Sequence, residues 1–310
     1  MTWYDNGWND PEGSGGGSSS GGGNRNNGPM LFRLRMAYGM GTGRDVLYLD
    51  NDPFRFWEHN GKDRESGKWS VYGVCRKRNN IGDGICPPCE KMGKDSPLNL
   101  YNVGMLTAID ISFAVGKEYR GNRNFYLCEK RLVPAKRGSQ DYPGALADLH
   151  RIREREGRLR GLVIHQLRKG KKSPTIGDSF EVVDRLEENQ IIEYLKNRVR
   201  KMIQDGTVGR ACQEKNTAPP GKEFYQEKIL KLDLSPAPYE DIFQPMSAVE
   251  LANNFNLAWT PPEQQGMFQG GQGGDDPGGS DPFDYEGSMP MDGPPDKQEG
   301  GGSPDDEMPF

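Results

Sequence analysis

The stretch "NVGMLTAIDISFAVGKEYRGNRNFYLC", residues 102–128, contains the longest strand-forming run in the chain. Residues 102–115 are rich in β-branched and aromatic side chains, which favour extended backbone. Residues 124–128 have the same character, and the turn-like "GKEYRGNR" at 116–123 separates the two runs. The stretch therefore predicts an antiparallel β-hairpin.

Short apolar runs on both sides of this hairpin predict further strands. They lie at residues 31–37, 46–49, 68–74, 162–167 and 180–183. Two other segments have the spacing of a helix that buries one face. The first contains Leu146, Leu149 and Ile152, and the second contains Ile192, Leu195, Val199 and Met202 before Gly206. Many short strands with few helices predict a mainly β fold, either a small barrel or a curled sheet.

Composition divides the chain into a central body and two terminal segments. Residues 1–30 and 261–310 are rich in Gly, Pro, Ser and Asp with few aliphatic side chains, which predicts disorder. Residues 31–260 are long enough for a single hydrophobic core. The net charge is −5, but residues 261–310 carry one lysine against twelve acidic residues. A basic body with an acidic tail indicates a polyanion-binding surface that the tail can screen, unless the tail only improves solubility.

Other features limit the classes of function. The chain has no run of about 18 apolar residues that would predict a membrane span, and the segment "MTWYDNGWNDPEG" at 1–13 lacks the regions of a signal peptide. Five cysteines without a secretory signal predict a reducing compartment and a cytoplasmic protein. The chain has no P-loop, no H-E-x-x-H motif and only three histidines, so we predict no enzymatic activity.

Three cysteines and one histidine form the strongest chemical signal. Cys75 is followed after ten residues by Cys86-Pro-Pro-Cys89, and fifteen residues separate His59 from Cys75. Two thiols in a C-x-x-C turn chelate one ion, and thiolates with imidazole favour Zn²⁺ in a tetrahedral site. We therefore predict one structural zinc ion, because four protein ligands leave no open position for catalysis.

Two alternatives remain for this segment. Cys128 competes with His59 for the position of the fourth ligand. A C-P-P-C tetrad is also typical of a redox dithiol, although that motif needs no third cysteine and is commonly found in a βαβ unit. The glycines at 82 and 84 favour the metal site, since they let the chain turn back sharply between Cys75 and Cys86.

These residues resemble the zinc site of the single-stranded DNA-binding proteins of T-even and related bacteriophages. In that family an upstream His, one Cys and a C-P-x-C pair hold zinc beside an oligonucleotide-binding (OB) barrel. The matching residues here are His59, Cys75, Cys86 and Cys89, and the likeness extends loosely through "LYNVGMLTAIDI" at 100–111. The resemblance implies an OB-like barrel with an inserted zinc subdomain at about residues 57–95, in a protein of the host cell cytoplasm.

The last six residues, "DDEMPF", resemble the acidic tip of bacterial single-stranded DNA-binding proteins. In those proteins the final Asp-Asp-x-x-Pro-Phe binds replication and repair partners. The resemblance implies a partner-binding tip here, made of Asp305, Asp306, Glu307, Met308, Pro309 and Phe310. A terminal Phe on a flexible tether can enter an apolar pocket while its carboxylate and the neighbouring acids meet Lys or Arg at the rim.

Basic and aromatic residues are interleaved along the body, a combination that binds single strands through phosphate pairing and base stacking. The candidate DNA contacts are Arg76, Lys77, Arg78, Tyr101, Tyr119, Arg120, Arg123, Phe125, Tyr126, Lys130, Arg131, Lys136 and Arg137. We predict a protein that coats and protects single-stranded DNA during phage replication, recombination and repair, and that recruits partner proteins through its tip. A zinc-ribbon adaptor or transcription regulator and a dithiol oxidoreductase are the alternatives. Self-association and the choice between DNA and RNA stay open.

Overall fold

A single antiparallel sheet dominates the computed structural model. The structure describes residues 5–6, 31–36, 43–62, 69–92, 98–119, 122–138, 144–214, 218–219 and 221–262. In these residues the sheet has eight strands: β1 (Asp5–Asn6), β2 (Arg44–Tyr48), β3 (Phe54–Lys62), β4 (Trp69–Val74), β5 (Leu98–Tyr119), β6 (Asn122–Lys136), β7 (Leu162–Leu167) and β8 (Ser179–Arg185). The prediction of a mainly β fold is confirmed.

The long strand β5 organises this sheet. β3 pairs with its first part, from Leu98 to Met105, and β2 pairs further along the same edge, from Ala108 to Asp110. β6 pairs with the other edge, as the predicted hairpin requires. β1 and β4 pair with β3, and β7 and β8 extend the sheet beyond β2. Because β5 is 22 residues long, one strand joins both halves of the sheet.

The sheet does not close into a barrel within the described residues. The segment 31–36 lies along β6, where a single parallel bridge joins Arg33 to Leu132. The Met36 amide also donates a hydrogen bond to the Thr175 carbonyl, just before β8 (2.8 Å). These contacts link β6 to the start of β8 at isolated points, whereas a closed barrel has a continuous ladder. The predicted OB barrel is therefore not confirmed.

Seven α-helices accompany the sheet in the described residues. They are α1 (Pro87–Lys91), α2 (Gly144–Glu156), α3 (Ile191–Gln204), α4 (Thr207–Glu214), α5 (Lys222–Leu230), α6 (Tyr239–Ile242) and α7 (Ala248–Asn254). The two segments with helical spacing are confirmed as α2 and α3. In α3 the buried position at the start is Ile191, and Ile192 is only partly buried. Gly206 follows α3 with φ +73°, a left-handed conformation that glycine adopts without steric cost.

Helices pack on both faces of the sheet. α3, α4 and α5 cover the face that carries Leu47 and Ile109. α2 packs against the opposite face, together with Tyr48 and Ala108. Alternate residues of β2 and β5 therefore pack into two separate cores, because successive side chains of a strand point to opposite faces.

The chain after α5 is built into the body of the protein. Phe243 packs on Phe54, which lies in β3. The Asp50 carboxylate accepts hydrogen bonds from the Tyr239 hydroxyl (2.5 Å) and from the Thr107 amide. Burial raises the pKa of Asp50, and the hydrogen bond from Tyr239 partly offsets this effect. These contacts hold the C-terminal part of the described chain against the sheet.

Some elements differ from the sequence-based prediction. β3, "FRFWEHNGK", was not predicted, because its charged and polar residues do not alternate with apolar ones. The predicted turn at 116–123 is shorter, since β5 ends at Tyr119 and β6 begins at Asn122. β1 lies within residues 1–30, for which the sequence predicts disorder. The rest of that segment, and the tail from residue 263, lie outside the described residues.

Within the described residues, no helix combines the length and the apolar character that a membrane crossing requires.

Candidate metal centre and adjoining surface

His59, Cys75, Cys86 and Cys89 come together beside the β3–β4 pair. His59 lies in β3 opposite Gly73 of β4, and Cys75 directly follows β4. Cys86 precedes the first residue of α1, and Cys89 lies within that helix. The turn between β4 and α1 therefore returns the chain to His59 and places three thiols around its imidazole.

The distances between the four ligand atoms suit a single ion. Sγ of Cys75 lies 3.9 Å from Sγ of Cys86 and 3.5 Å from Sγ of Cys89. Nε2 of His59 lies 3.3 Å from each of the sulfurs of Cys86 and Cys89. In a tetrahedral zinc site, Zn–S bonds of about 2.3 Å and Zn–N bonds of about 2.0–2.1 Å place the ligand atoms about 3.5–3.8 Å apart. The four residues thus fit one tetrahedrally coordinated metal ion.

Backbone and amide hydrogen bonds shape the turn that carries the thiols. Nδ2 of Asn79 donates to the carbonyls of Trp57 (2.9 Å) and Cys75 (2.7 Å), and its Oδ1 accepts from the Trp57 amide (2.9 Å). Gly82 and Gly84 have φ +60° and +73°, so the predicted sharp reversal does use the left-handed conformation. The buried Asn79 therefore ties the turn to β3.

The three thiols affect one another's protonation. The pKa of Cys86 is lowered by hydrogen bonds with Cys75 and Cys89, and also with His59. The pKa of Cys75 is raised, chiefly by its hydrogen bonds with Cys86 and Cys89, and burial and the charge of Cys86 add to this effect. A divalent cation would remove this conflict, because all three thiolates could then share one positive centre.

Cys128, the alternative fourth ligand, lies in a different part of the molecule. It is buried in the core under α3, with Leu47 and Ile109 as neighbours. Burial raises the pKa of the Cys128 thiol to about 12, and the nearby Asp110 adds to the shift. It is not part of the group that surrounds His59.

The other face of the same strands carries positive charges next to aromatic rings. Because side chains alternate along β3, Glu58 points away from the face of His59. Glu58 pairs in register with Tyr101 of β5, and Asn60 pairs with Tyr72 of β4. The two tyrosines are therefore expected on the face opposite the metal centre.

Three cations surround these two rings. The guanidinium carbon of Arg33 lies 4.0 Å from the centroid of the Tyr72 ring, and Nη2 of Arg35 donates to the Tyr72 hydroxyl (3.0 Å). Nζ of Lys136 lies 3.9 Å from the centroid of the Tyr101 ring. We call these five residues, Arg33, Arg35, Tyr72, Tyr101 and Lys136, the cation–aromatic surface.

One buried carboxylate partly balances this charge. Arg33 donates to both oxygens of Glu58, at 2.6 and 3.1 Å. Burial lowers the pKa of Lys136, the charge of Glu58 opposes this shift, and the nearby Arg33 and Arg35 lower the pKa further. The surface therefore keeps a positive excess that a polyanion would relieve.

Several predicted DNA contacts have structural partners instead. The guanidinium of Arg76 donates to the carbonyls of Ile85 and Met246 (both 2.9 Å) and to Asp83 (3.0 Å). Lys130 forms an ion pair with Asp233 (3.0 Å). These contacts brace the fold, and contact of Arg76 and Lys130 with DNA stays a prediction.

The other predicted contacts are spread over separate places. Arg78 lies over Trp57 at 5.6 Å, on the side of the metal centre, and Lys77 beside it is exposed. Arg131 pairs with Glu129 and lies 5.6 Å from the ring of the exposed Phe32. Arg137 is exposed directly after β6. The side chains of Tyr119, Arg123, Phe125 and Tyr126 lie outside the description, although their backbones belong to β5 and β6. Arg120 and the tip at Asp305, Asp306, Glu307, Met308, Pro309 and Phe310 lie outside the described residues altogether.

The predicted DNA contacts omitted three members of the cation–aromatic surface, Arg33, Arg35 and Tyr72. Arg33 and Arg35 lie in "LFRLRMA", which predicted only a strand. The signal was present, because alternation in an extended segment places both arginines on one side while Leu34 and Met36 are buried on the other. What the sequence does not show is that this segment lies across β4 and β6.

Comparison with known proteins adds no relative to this description. No protein-family model, no curated protein and no solved structure matches the chain. The function is therefore inferred from the candidate metal centre and the cation–aromatic surface.

Proposed function

We propose that this chain binds single-stranded DNA through the cation–aromatic surface, and that a zinc ion holds the neighbouring turn in shape. The supporting observation is the placement of three cations directly beside two tyrosine rings on one face of β3, β4 and β5. Single-strand binding without sequence preference needs phosphate-pairing cations and π-faces close together, because each nucleotide offers one of each.

The residues of the cation–aromatic surface would have different roles in binding. Arg35 is exposed and Lys136 is crowded by other cations, so both would gain from pairing with phosphates and releasing counterions. Tyr72 and Tyr101 would offer rings for base stacking. Arg33 is already neutralised by the buried Glu58, and it would mainly hold the Tyr72 ring in place.

The metal would act as a structural crosslink. Nε2 of His59 and the sulfurs of Cys75, Cys86 and Cys89 would hold the ion, and zinc suits this donor set. When bound, zinc supplies a rigid link between β3, β4 and α1. The dithiol oxidoreductase alternative is less well supported, because Cys86 is buried and its sulfur lies close to both Cys75 and His59.

The wider role rests on the sequence resemblance. We propose that the sheet serves as an OB-like platform that coats single strands during replication, recombination and repair in the cytoplasm. The acidic tip ending in Phe310 would recruit partner proteins. The adaptor alternative differs in one testable respect, since it requires no affinity for nucleic acid.

Fluorescence anisotropy with a labelled dT oligonucleotide at about 50 and about 200 mM salt tests this proposal. Tyr101→Ala is expected to weaken binding by about 1–3 kcal/mol at both salt concentrations, because it removes a stacking ring. Lys136→Gln is expected to weaken binding mainly at low salt and to reduce the salt slope by about 1. The matched control is Lys201→Gln, which changes an exposed cation on α3.

Three outcomes of this titration would count against the proposal. No binding by the wild-type chain would favour the adaptor. Equal affinity of all variants would place the interface elsewhere. Tighter binding to RNA or to duplex DNA in competition would change the class of ligand.

A further inference from the structure

We infer that the C-terminal strap, which we define as residues 244–259, is a lid on the metal centre that controls how fast the ion leaves. Leu251 and Phe255 are its positioning residues. The inference rests on the metal binding proposed above and extends it, because the predicted zinc subdomain ends at about residue 95 and contains no part of the strap.

Apolar packing places the strap directly on the ligands. Leu251 is fully buried and Phe255 is 8% exposed, and both belong to the same cluster as Cys75 and Cys86. The Phe255 ring and the His59 imidazole form a T-shaped contact, with 6.3 Å between centroids and an angle of 79° between planes. The strap thus contacts the ligand residues themselves.

Two glycines beneath the strap make this close approach possible. A Cβ atom on Gly73 would lie 2.5 Å from Cδ1 of Leu251 and 2.9 Å from Cε2 of Phe255. A Cβ atom on Gly61 would lie 2.8 Å from Cδ1 of Phe255. Gly73 is the residue opposite His59 in the β3–β4 pair. The strands therefore lack side chains at the place where the strap meets the ligand.

The contact with Phe255 takes the place of a missing hydrogen bond. In most metal sites the second ring nitrogen of a ligating histidine donates a hydrogen bond that fixes the ring orientation. Nδ1 of His59 is buried, and it has no hydrogen-bond partner among the described residues. Phe255 and the glycine-lined surface therefore pack against an imidazole that no hydrogen bond fastens at Nδ1 among the described residues.

Polar contacts fasten the strap at both ends and in the middle. The Met246 carbonyl accepts a hydrogen bond from Arg76, which directly follows the ligand Cys75 (2.9 Å). Nε1 of Trp259 donates to Glu90, which directly follows the ligand Cys89 (2.9 Å). Asn254 donates to the backbone carbonyl of Tyr72 (3.0 Å). The strap is therefore tied to residues next to two of the four ligands.

This arrangement leaves one side of the metal centre more open than the other. His59, Cys75 and Cys86 are buried, whereas Cys89 is partly exposed. A chelator that approaches from solvent would meet Cys89 first, and the remaining bonds would break only when the strap lifts. Weakening the strap should therefore speed the loss of metal without changing the number of ions bound.

The test uses the full chain loaded with Zn²⁺ and follows the transfer of zinc to a chromogenic chelator in excess. Phe255→Ala removes a side chain of the strap that packs on the metal centre. Gly73→Ala adds a methyl group to β4 beneath the strap, which pushes the strap away while every strap side chain is kept. We expect both variants to bind one zinc ion and to release it about tenfold faster than the wild type, or more. Phe255→Leu, which keeps an apolar side chain, should restore most of the slow release.

Each variant has a matched control. Val249→Ala changes an exposed residue of the same helix, α7, and should leave the release rate unchanged. Gly209→Ala adds a methyl group where no atom lies within 4 Å, and it should also have no effect. The visible spectrum of the Co²⁺-substituted forms should show the same three-thiolate coordination in all five variants. Far-UV circular dichroism checks that each one is folded.

The outcomes separate the inference from the proposed function. If the wild type binds no metal, both the proposed metal site and the lid fail together. If the wild type binds one zinc ion but Phe255→Ala and Gly73→Ala release it at the wild-type rate, the lid alone is overturned. If both variants lose one ligand from the Co²⁺ spectrum, the strap shapes the site itself and the lid inference is also wrong.

Discussion

The half of the sheet under α3, α4 and α5 is held by apolar packing, whereas the half that carries α1 combines apolar packing with a cluster of candidate metal ligands. In the first, which we call the helical half, Leu195, Val199 and Tyr225 are almost fully buried with strand residues of β2 and β5. In the second, the metal half, the turn between Cys75 and Cys89 buries Ile81 and two prolines. The two halves share β5, and within the described residues the metal half adds a set of candidate metal ligands to its apolar packing.

This difference suggests that the proposed binding function lies in the metal half, whereas the helical half mainly supports stability. The helical half can remain folded by burial of apolar surface alone. The turn of the metal half buries Ile81 and two prolines, and a cation at its four candidate ligands would stabilise it further. The cation–aromatic surface is built on β4 and β5 of the metal half, so its shape should depend on metal while that of the helical half should not.

Removing a metal ligand is expected to have the largest effect, and this effect should be confined to the metal half. Cys86→Ser should abolish metal binding, because the remaining donors no longer close a tetrahedral site of soft ligands. Structural zinc contributes on the order of 10 kcal/mol in zinc-finger peptides, so we expect residues 69–92 to lose protection against hydrogen exchange. Residues 191–204 should keep theirs. Hydrogen-exchange mass spectrometry measures both segments in one sample.

Cys128→Ser is the matched control for this change. Cys128 is buried in the helical half and lies outside the ligand group. The variant should keep one bound zinc ion and the exchange pattern of residues 69–92. Loss of zinc from Cys128→Ser would contradict the assignment of His59 as the fourth ligand.

The next largest effect is expected in the helical half. Leu195→Ala removes a fully buried side chain from the core between α3 and the sheet. Such truncations cost about 2–5 kcal/mol, from lost burial and the cavity left behind. Urea unfolding followed by far-UV circular dichroism should show this loss, while the rate of zinc release stays at the wild-type value. A change in zinc release would mean that the two halves are not independent. Lys201→Ala, at an exposed position of the same helix, should shift stability by less than about 0.5 kcal/mol.

The two halves were also unequally predictable from sequence. The stripe of Leu195, Val199 and Met202 predicts α3 because one helix face repeats its apolar residues at a fixed spacing. The metal ligands could be predicted because thiol spacing carries chemistry that needs no knowledge of the fold. β3 could not be predicted, since Arg55 and Glu58 are buried by partners that lie far away in the sequence.

Long-range contacts explain the other omissions. Nothing in residues 59–91 indicates that Phe255 lies on His59, because the two residues are brought together only by the folded chain. For the same reason the sequence does not show that Arg76, a predicted DNA contact, donates a hydrogen bond to the distant Met246 carbonyl. Patterns within one element were readable, whereas contacts between elements had to come from the structure.

A substitution at Arg76 is expected to have a smaller effect on the metal half. Arg76→Ala removes hydrogen bonds to two carbonyls and to Asp83. Bonds from charged donors contribute about 1.5–3 kcal/mol each when buried, and the Arg76–Asp83 pair contributes less because Asp83 is exposed. We expect faster zinc release and higher proteolytic sensitivity of the strap. The affinity for a dT oligonucleotide at saturating zinc should stay within about twofold of the wild type, corresponding to about 0.4 kcal/mol. A fall in the salt slope by about 1 would instead support Arg76 as a phosphate contact.

The smallest expected effect concerns the start of α7. Ser247 accepts a hydrogen bond from the Glu250 amide (3.2 Å), and the Glu250 carboxylate accepts one from the Ser247 amide (2.9 Å), which forms a capping box. Ser247→Ala removes one half of this arrangement and should cost about 1 kcal/mol of local stability. Because the loss is confined to the strap, zinc release should quicken by about fivefold while the urea midpoint of the helical half stays constant. A shift in that midpoint without any change in zinc release would show that α7 supports the whole sheet and not the metal half in particular. Ser247→Asp, which keeps an oxygen acceptor at the cap, should behave as the wild type.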